Sequence, residues 1–138
     1  MSATAKRRVQ RIASTFNAKA RKMHVAGVVS WEQLASLGDQ CAYCGIELSL
    51  DHGTWDHVVP FDRGGVNWLT NIARCCTTCQ RAKHTKTPEE YQEHQQMVVT
   101  CKRPGCGRTY KPRWAEWQRG MARYCSHQCA GMARGQGW

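Results

Sequence analysis

The sequence predicts a small α+β fold in which short helices and strands are held together at two clusters of four cysteines. Two Cys-x-x-Cys pairs lie 35 residues apart, and two further cysteine pairs follow near the C-terminal end. Helical periodicity near the N-terminal end and after residue 87 alternates with short apolar stretches typical of strands. A chain of 138 residues can bury one modest core or two small ones, so the cysteines have a structural part to play.

Nine cysteines indicate either disulfides or bound metal. The spacing is that of zinc ligands, which predicts two structural Zn²⁺ sites. A disulfide framework is the alternative, but the cysteine count is odd. No apolar run follows the basic residues at the N-terminal end, and no stretch reaches the roughly 20 apolar residues of a membrane span. We therefore expect a cytoplasmic protein. The expected zinc ligands are Cys41, Cys44, Cys76 and Cys79 in one site and Cys101, Cys106, Cys125 and Cys129 in the other.

The net charge of +10 is unevenly distributed along the chain. Residues 1–31 contain seven Lys or Arg and no acidic residue, residues 32–100 carry a net charge of −4, and residues 101–138 carry +7. Two basic segments therefore flank a mildly acidic one. This pattern indicates a polyanionic partner such as nucleic acid, with a merely solvated basic surface as the alternative.

Residues 1–29 are predicted to form a basic helical arm. Apolar residues recur every three or four positions from Val9 to Met23, which predicts a helix over residues 4–23 that lies along nucleic acid or orders on binding it. Ser30 and Gln33 form a capping-box signal, so a short helix is expected over Trp31–Leu37.

Residues 30–100 are predicted to form the central domain. Cys41–Gly45 reads as a metal-binding knuckle, and alternation at Ile46, Leu48 and Leu50 predicts a short strand. A strand is expected over Trp55–Val59, and a helix from near Thr77. Thr87-Pro88-Glu89-Glu90 has the residue types of a helix start, for a helix that runs to about Val99.

Residues 101–138 are predicted to form a separate zinc-ribbon-like module around the second cysteine set. So few apolar residues do not fold without a metal. Trp114 and Trp117 alternate with basic residues, which suits either stacking on bases or packing in a small core.

The pair Asp56-His57 carries the chemistry predicted for the central domain. Asp is a metal-binding carboxylate, and His is the side chain best suited to act as a general base near neutral pH. Neighbouring residues on a strand point to opposite faces, so the two groups have separate roles. A neutral His57 with one N–H held by a backbone carbonyl is expected to take a proton from water.

Together, Asp56-His57-Val58-Val59-Pro60, Gly64-Gly65, Asn71, the cysteine pairs and Gln80 resemble the HNH endonuclease family over roughly residues 41–90. The resemblance implies a treble-clef, ββα-metal fold in which Asp56 ligates a divalent cation and His57 is the general base. It implies that Asn71 holds the loop and the base in position. Residues 80–90 resemble small phage-encoded members.

One position departs from the family pattern. The last metal ligand of the family is usually His or Asn, and this sequence has Gln80 there. The longer Gln side chain can ligate Mg²⁺ or Mn²⁺ directly or through water, and His84 is the alternative ligand.

The predicted function is a metal-dependent DNA endonuclease or nickase that leaves 5′-phosphate and 3′-hydroxyl ends. A non-catalytic zinc protein that binds nucleic acid or a partner is the alternative. Homing and packaging roles both fit; the resemblance implies a phage or mobile-element origin, a host-cytoplasm location and a terminase as a possible partner. The residues expected to contact DNA are Arg7, Arg8, Arg11, Arg63, Arg81, Lys83, Lys111 and Arg113.

Overall fold

The computed structural model describes residues 1–135 and divides into two compact units, Met1–Tyr91 and a unit that begins at Gln92. The predicted division into residues 1–29, 30–100 and 101–138 stays a prediction, and residues 136–138 lie outside the described part. Helices and short strands alternate, so the protein is a small α+β protein as expected. Over residues 1–135, we find no helix with both the length and the apolar character needed to cross a membrane.

Helix α1, Ala3–Lys22, forms one wall of the core of the first unit. Ser2 caps it by accepting a hydrogen bond from the Ala5 N–H at 3.0 Å. Its apolar face is buried at Val9 and Ala13, because the three- and four-residue spacing places these residues on one side. The helix therefore belongs to the packed core, while most of its basic residues are exposed and Arg8 is half-buried.

Helix α2, Trp31–Ala35, begins with the predicted capping box. The Ser30 hydroxyl accepts from the Gln33 N–H, and the Gln33 side chain accepts from the Ser30 N–H. The helix ends at Ala35, two residues earlier than predicted. The main core buries Val9, Ala13, Val29, Leu34, Trp55 and Ile72.

Strands β1, Thr54–His57, and β2, Ile72–Cys75, pair antiparallel, with Asp56 opposite Ala73 and His57 opposite Ile72. Two 3₁₀ turns, Phe61–Arg63 and Leu69–Asn71, connect them. Helix α3, Thr77–Lys83, follows β2 at once.

The strand predicted from Ile46, Leu48 and Leu50 is absent, and this expectation is corrected. Only one isolated bridge forms there, between Gln40 and Glu47. The short segment before the knuckle gives this stretch too few partners for a ladder, and Ile46 is 57% exposed. The alternation of apolar and polar residues here therefore does not mark a strand, and the chain forms a turn with one bridge instead.

The second unit contains strands β3, Val99–Thr100, and β4, Thr109–Tyr110, which pair antiparallel. Helices α5, Trp114–Gln118, and α6, His127–Gly135, follow. Helix α4, Pro88–Gln96, starts with a capping box between Thr87 and Glu90. It ends before Val99, where β3 begins.

Candidate active site

The two predicted cysteine sets each converge on one point. In each set, the four sulfur atoms lie within 4.8 Å of one another. The Sγ atoms of Cys44 and Cys76 are 3.8 Å apart, as are those of Cys106 and Cys125. A tetrahedral ion with Zn–S bonds of about 2.3 Å gives sulfur separations of about 3.8 Å, whereas a disulfide bond is about 2.05 Å long. Both sets therefore fit a zinc ion.

Local hydrogen bonds favour the thiolate form at one cysteine of each set. Burial raises the pKa of Cys41, but the backbone N–H groups of Cys76, Cys44 and Tyr43 donate to its sulfur and lower its pKa to about 6. The Arg103 guanidinium donates to Cys129 Sγ at 3.2 Å, and this contact lowers the pKa of that thiol to about 6. Thiolates are the form that binds zinc.

Asp56 lies near the end of β1 and is fixed by two neighbours on the same carboxylate oxygen. The Tyr43 hydroxyl donates to Oδ2 at 2.9 Å, and the Lys83 ammonium lies 3.0 Å from Oδ2. Burial and the nearby Asp56 carboxylate raise the pKa of Tyr43, so its hydroxyl stays protonated and donates. Tyr43 belongs to the cysteine knuckle, and this contact therefore ties the first cysteine set to Asp56.

Lys83 is completely buried, which differs from the phosphate-contacting role expected for it. Its ammonium also donates to the carbonyl oxygen of His57 at 3.3 Å. A side chain in this position has no exposed surface to offer a phosphate. Its position four residues after buried Cys79 places both on the inner face of α3, a helical spacing that the sequence does contain.

His57 lies at the end of β1 with its imidazole between two aromatic rings. The ring centroids are 4.4 Å from Phe16 and 4.3 Å from Phe61. Its Nε2 lies 2.9 Å from Oδ1 of Asn67, so a side-chain carbonyl replaces the backbone carbonyl that we expected. Burial lowers the pKa of His57, while the Asn67 hydrogen bond offsets part of that shift. The imidazole is therefore neutral at neutral pH.

Asn71 makes three hydrogen bonds across the loop that follows β1. Its Oδ1 accepts from the Val59 N–H at 2.9 Å, and its Nδ2 donates to the carbonyl oxygens of Val59 and Val66. The side chain is nearly buried, so these bonds are shielded from water. They tie the two ends of the loop 59–66 together beside His57.

Gly65 is the position in this loop where a side chain does not fit. A Cβ atom there would lie 1.8 Å from the carbonyl oxygen of Val59. We expect Gly65→Ala to displace the loop and to lower the melting temperature by several degrees, since steric conflicts in a packed region cost about 1–3 kcal/mol. Gly64→Ala is the comparison in the same loop: no atom lies within 4 Å of its Cβ position, so this variant carries only the strain of its φ of +90°, and we expect it to lower the melting temperature by less than Gly65→Ala does. Equal melting temperatures for the two variants would contradict the expectation.

Gln80 and His84, the two candidate ligands after the second cysteine pair, have different surroundings. The Gln80 amide donates from Nε2 to the carbonyl oxygen of Trp55 at 3.4 Å, next to Asp56 in sequence. His84 follows α3 with a φ of +51° and is exposed. It lines a cavity together with Asp56 and His57.

This cavity has a volume of about 200 Å³, and three residues of the predicted site, Asp56, His57 and His84, line it. Helix α1 contributes Lys19 and Met23 to its wall, and the Lys19 ammonium lies 5.6 Å from the centre of the Phe61 ring. The lining residues are Lys19, Met23, Asp56, His57, Pro60, Phe61, Asp62, His84 and Thr85.

The basic residues predicted to contact DNA fall into two groups. Arg7, Arg11, Arg81 and Arg113 are exposed. The others have protein partners: Arg63 pairs with Glu90 at 2.5 Å, Lys111 donates to Gln95 at 3.2 Å, and Arg8 donates to the carbonyl oxygens of Leu50 and Gly53.

Sequence reasoning missed Tyr43, Asn67, Asn17 and Lys19. Tyr43 has a local signal, because it lies between two metal-binding cysteines. The other three act across 10 to 50 residues of sequence, and no local pattern marks such contacts.

The first cysteine set and the site at the end of β1 lie within a segment that matches a known type of domain. Residues 41–96 match the profile of a family described as HNH endonuclease. The predicted resemblance to the HNH endonuclease family is therefore confirmed for residues 41–96.

A stretch of 90 residues is also 29% identical to the CRISPR-associated endonuclease Cas9 of Corynebacterium diphtheriae. This alignment covers 60% of the chain and 8% of that protein, so the chain spans less than a tenth of its relative's length. Both findings suggest nuclease activity.

Proposed function

We propose that the chain is a metal-dependent HNH endonuclease or nickase that hydrolyses DNA phosphodiester bonds and leaves 5′-phosphate and 3′-hydroxyl ends. One observation carries the proposal: a neutral imidazole and a carboxylate, from His57 and Asp56, line a single cavity within the segment that matches the HNH family. In this proposal β1, β2 and α3 form a ββα-metal unit, and both cysteine sets hold zinc.

His57 acts as the general base. Its neutral imidazole takes a proton from the water molecule that attacks phosphorus, and the packing of Phe16 and Phe61 on the ring keeps it in place. Asn71 fixes the adjacent loop, which limits movement of the base relative to the scissile phosphate. These residues therefore position and deprotonate the nucleophile.

Asp56 and Gln80 would hold the catalytic ion, with His84 as the alternative to Gln80. Carboxylate and carboxamide oxygens are ligands that suit Mg²⁺ and Mn²⁺. The contacts of Tyr43 and Lys83 go to Oδ2 of Asp56, so we assign Oδ1 to the ion. When bound, it would supply positive charge that stabilises a non-bridging phosphate oxygen and the departing 3′-oxygen.

The DNA backbone would lie across the exposed basic residues near the cavity. Lys19, on the cavity wall, and Arg81, exposed on α3, would offset phosphate charge, and neither forms an ion pair within the described residues. Arg63 would first have to separate from Glu90. Binding should therefore weaken with rising salt concentration, because each neutralised phosphate releases counterions.

The test is cleavage of supercoiled plasmid by zinc-loaded protein, with and without Mg²⁺ or Mn²⁺. We expect wild-type protein to relax or linearise the plasmid, and His57→Ala to slow this by about 10²- to 10⁴-fold while DNA binding, measured by fluorescence anisotropy, is unchanged. His52→Ala is the matched control, since that side chain is exposed and bonds only to Ser49 in the described contacts.

Two results would contradict the proposal. Absence of cleavage by the folded wild-type protein with either ion would favour a non-catalytic binding protein. Equal cleavage by wild type and His57→Ala would exclude His57 as the base.

A further inference from the structure

We propose that Asn67, held by Asn17 of helix α1, positions His57 with its proton on Nε2 and leaves Nδ1 as the nitrogen that accepts a proton. The inference rests on the nuclease function proposed above. It makes α1 part of the catalytic arrangement, although this helix lies outside the matched segment 41–96.

The hydrogen bonds of Asn17 fix the orientation of its side-chain amide. Its Nδ2 lies 2.8 Å from the carbonyl oxygen of Val29, and its Oδ1 lies 3.0 Å from the Val29 nitrogen. A peptide N–H can only donate and a peptide carbonyl can only accept. Only one orientation of the Asn17 amide satisfies both the N–H and the carbonyl oxygen of Val29. In this orientation the oxygen atom Oδ1 faces the Val29 N–H and accepts from it.

The orientation of Asn67 follows from that of Asn17. The Nδ2 of Asn67 lies 2.9 Å from Asn17 Oδ1 and 3.1 Å from the carbonyl oxygen of Gly27. Both neighbours only accept, so the amino group of Asn67 must face them. Its Oδ1 therefore faces His57.

The proton position on His57 is the last step of this series. Asn67 Oδ1 lies 2.9 Å from Nε2 of His57 and can only accept, so Nε2 must donate. A neutral imidazole carries one ring proton, and Nδ1 is then unprotonated. The peptide of Val29 thus determines, through two amides, which nitrogen of His57 is the base.

The surrounding donor and acceptor groups, which are shielded from water, keep Asn67 from adopting the flipped orientation. Its side chain is completely buried, and its backbone N–H donates to the carbonyl oxygen of Ala26 at 2.8 Å. A Cβ atom on Gly27, where φ is +118°, would lie 2.4 Å from the carbonyl carbon of Asn67. A flipped amide would bury its amino group against the N–H of His57 and its oxygen against two other oxygens.

Two-bond ¹H–¹⁵N correlation spectra of the histidine rings test the inference, because they separate protonated from unprotonated ring nitrogens. In neutral to mildly alkaline solution we expect His57 of the wild-type protein to carry its proton on Nε2 alone. Asn17→Ala should give a mixture of the two forms, and Asn67→Ala a larger shift towards the mixture. Gln10→Ala, an exposed residue of the same helix, is the control and should leave the spectrum unchanged.

The kinetic expectation is a fall in kcat of about 10- to 100-fold for Asn17→Ala with KM unchanged, the size found when a residue that orients a catalytic group is removed. Should Asn67→Ala fail to fold, Asn17→Ala decides alone. Wild-type His57 with its proton on Nδ1, or a wild-type spectrum and kcat in folded Asn17→Ala, would overturn the inference. The spectra need no cleavage, so an inactive wild-type protein with the Nε2 form would refute the proposed function and leave the positioning intact.

Discussion

Cys41→Ser is expected to unfold the first unit, Met1–Tyr91, and to reduce the bound zinc from two ions per chain to one. Cys41 is one of four sulfurs that converge on a point, and the small core around it consists mainly of the cysteines themselves. Structural zinc contributes about 10–16 kcal/mol in small zinc peptides, whereas a domain is stable by only about 5–15 kcal/mol. The free energy lost with the ion is therefore as large as the free energy of unfolding of a typical domain.

The measurement combines metal analysis by mass spectrometry with circular dichroism. Cys75→Ala is a matched control, because Cys75 is completely buried beside the cluster but is not one of its four members. Burial raises the pKa of Cys75 to about 12, so it stays a thiol. This control should keep two zinc ions and lose about 0.5–3 kcal/mol of stability. A folded Cys41→Ser protein with two zinc ions would refute the expectation.

Helix starts could be predicted from the sequence because they depend on neighbouring residues. The capping boxes at Ser30 and Thr87 need only a hydroxyl and a Gln or Glu three positions later, and both form. Helix α1 was predictable to within one residue at each end, since its apolar spacing is regular over 20 residues. Helix α3 began where expected, at Thr77.

The cysteine sets were also predictable, because metal-ligand spacing is a local pattern even when the two halves of a site are distant. The arrangement around Asp56 and His57 is only partly predictable from the sequence. Asn67 bonds to Asn17 across 50 residues, and such a contact depends on how α1 packs rather than on any pattern near either residue. The charge of Lys83 favours a surface position, but the four-residue spacing from Cys79 puts its side chain on the buried face of α3.

Lys83→Met should cost the first unit about 3–5 kcal/mol of stability, the range for removing one partner of a buried ion pair. The Lys83 side chain is 0% exposed and the Asp56 side chain only 12%, so water replaces the lost ammonium only in part. Methionine keeps most of the apolar volume of the lysine stem. The loss therefore reports the uncompensated carboxylate rather than a cavity.

Hydrogen exchange of the β1 and β2 amides measures this change, because those strands belong to the first unit and the second unit does not contribute to their signals. Arg81→Met, an exposed change on the same helix, is the control and should stay within about 0.5 kcal/mol of wild type. The double variant Lys83→Met with Asp56→Asn should recover part of the loss, since the carboxylate that needs the ammonium is then gone. Equal exchange rates of the β1 and β2 amides in Lys83→Met and Arg81→Met would show that the ammonium does not hold Asp56 in place. The assignment of Oδ1 to the catalytic ion would then lose its basis.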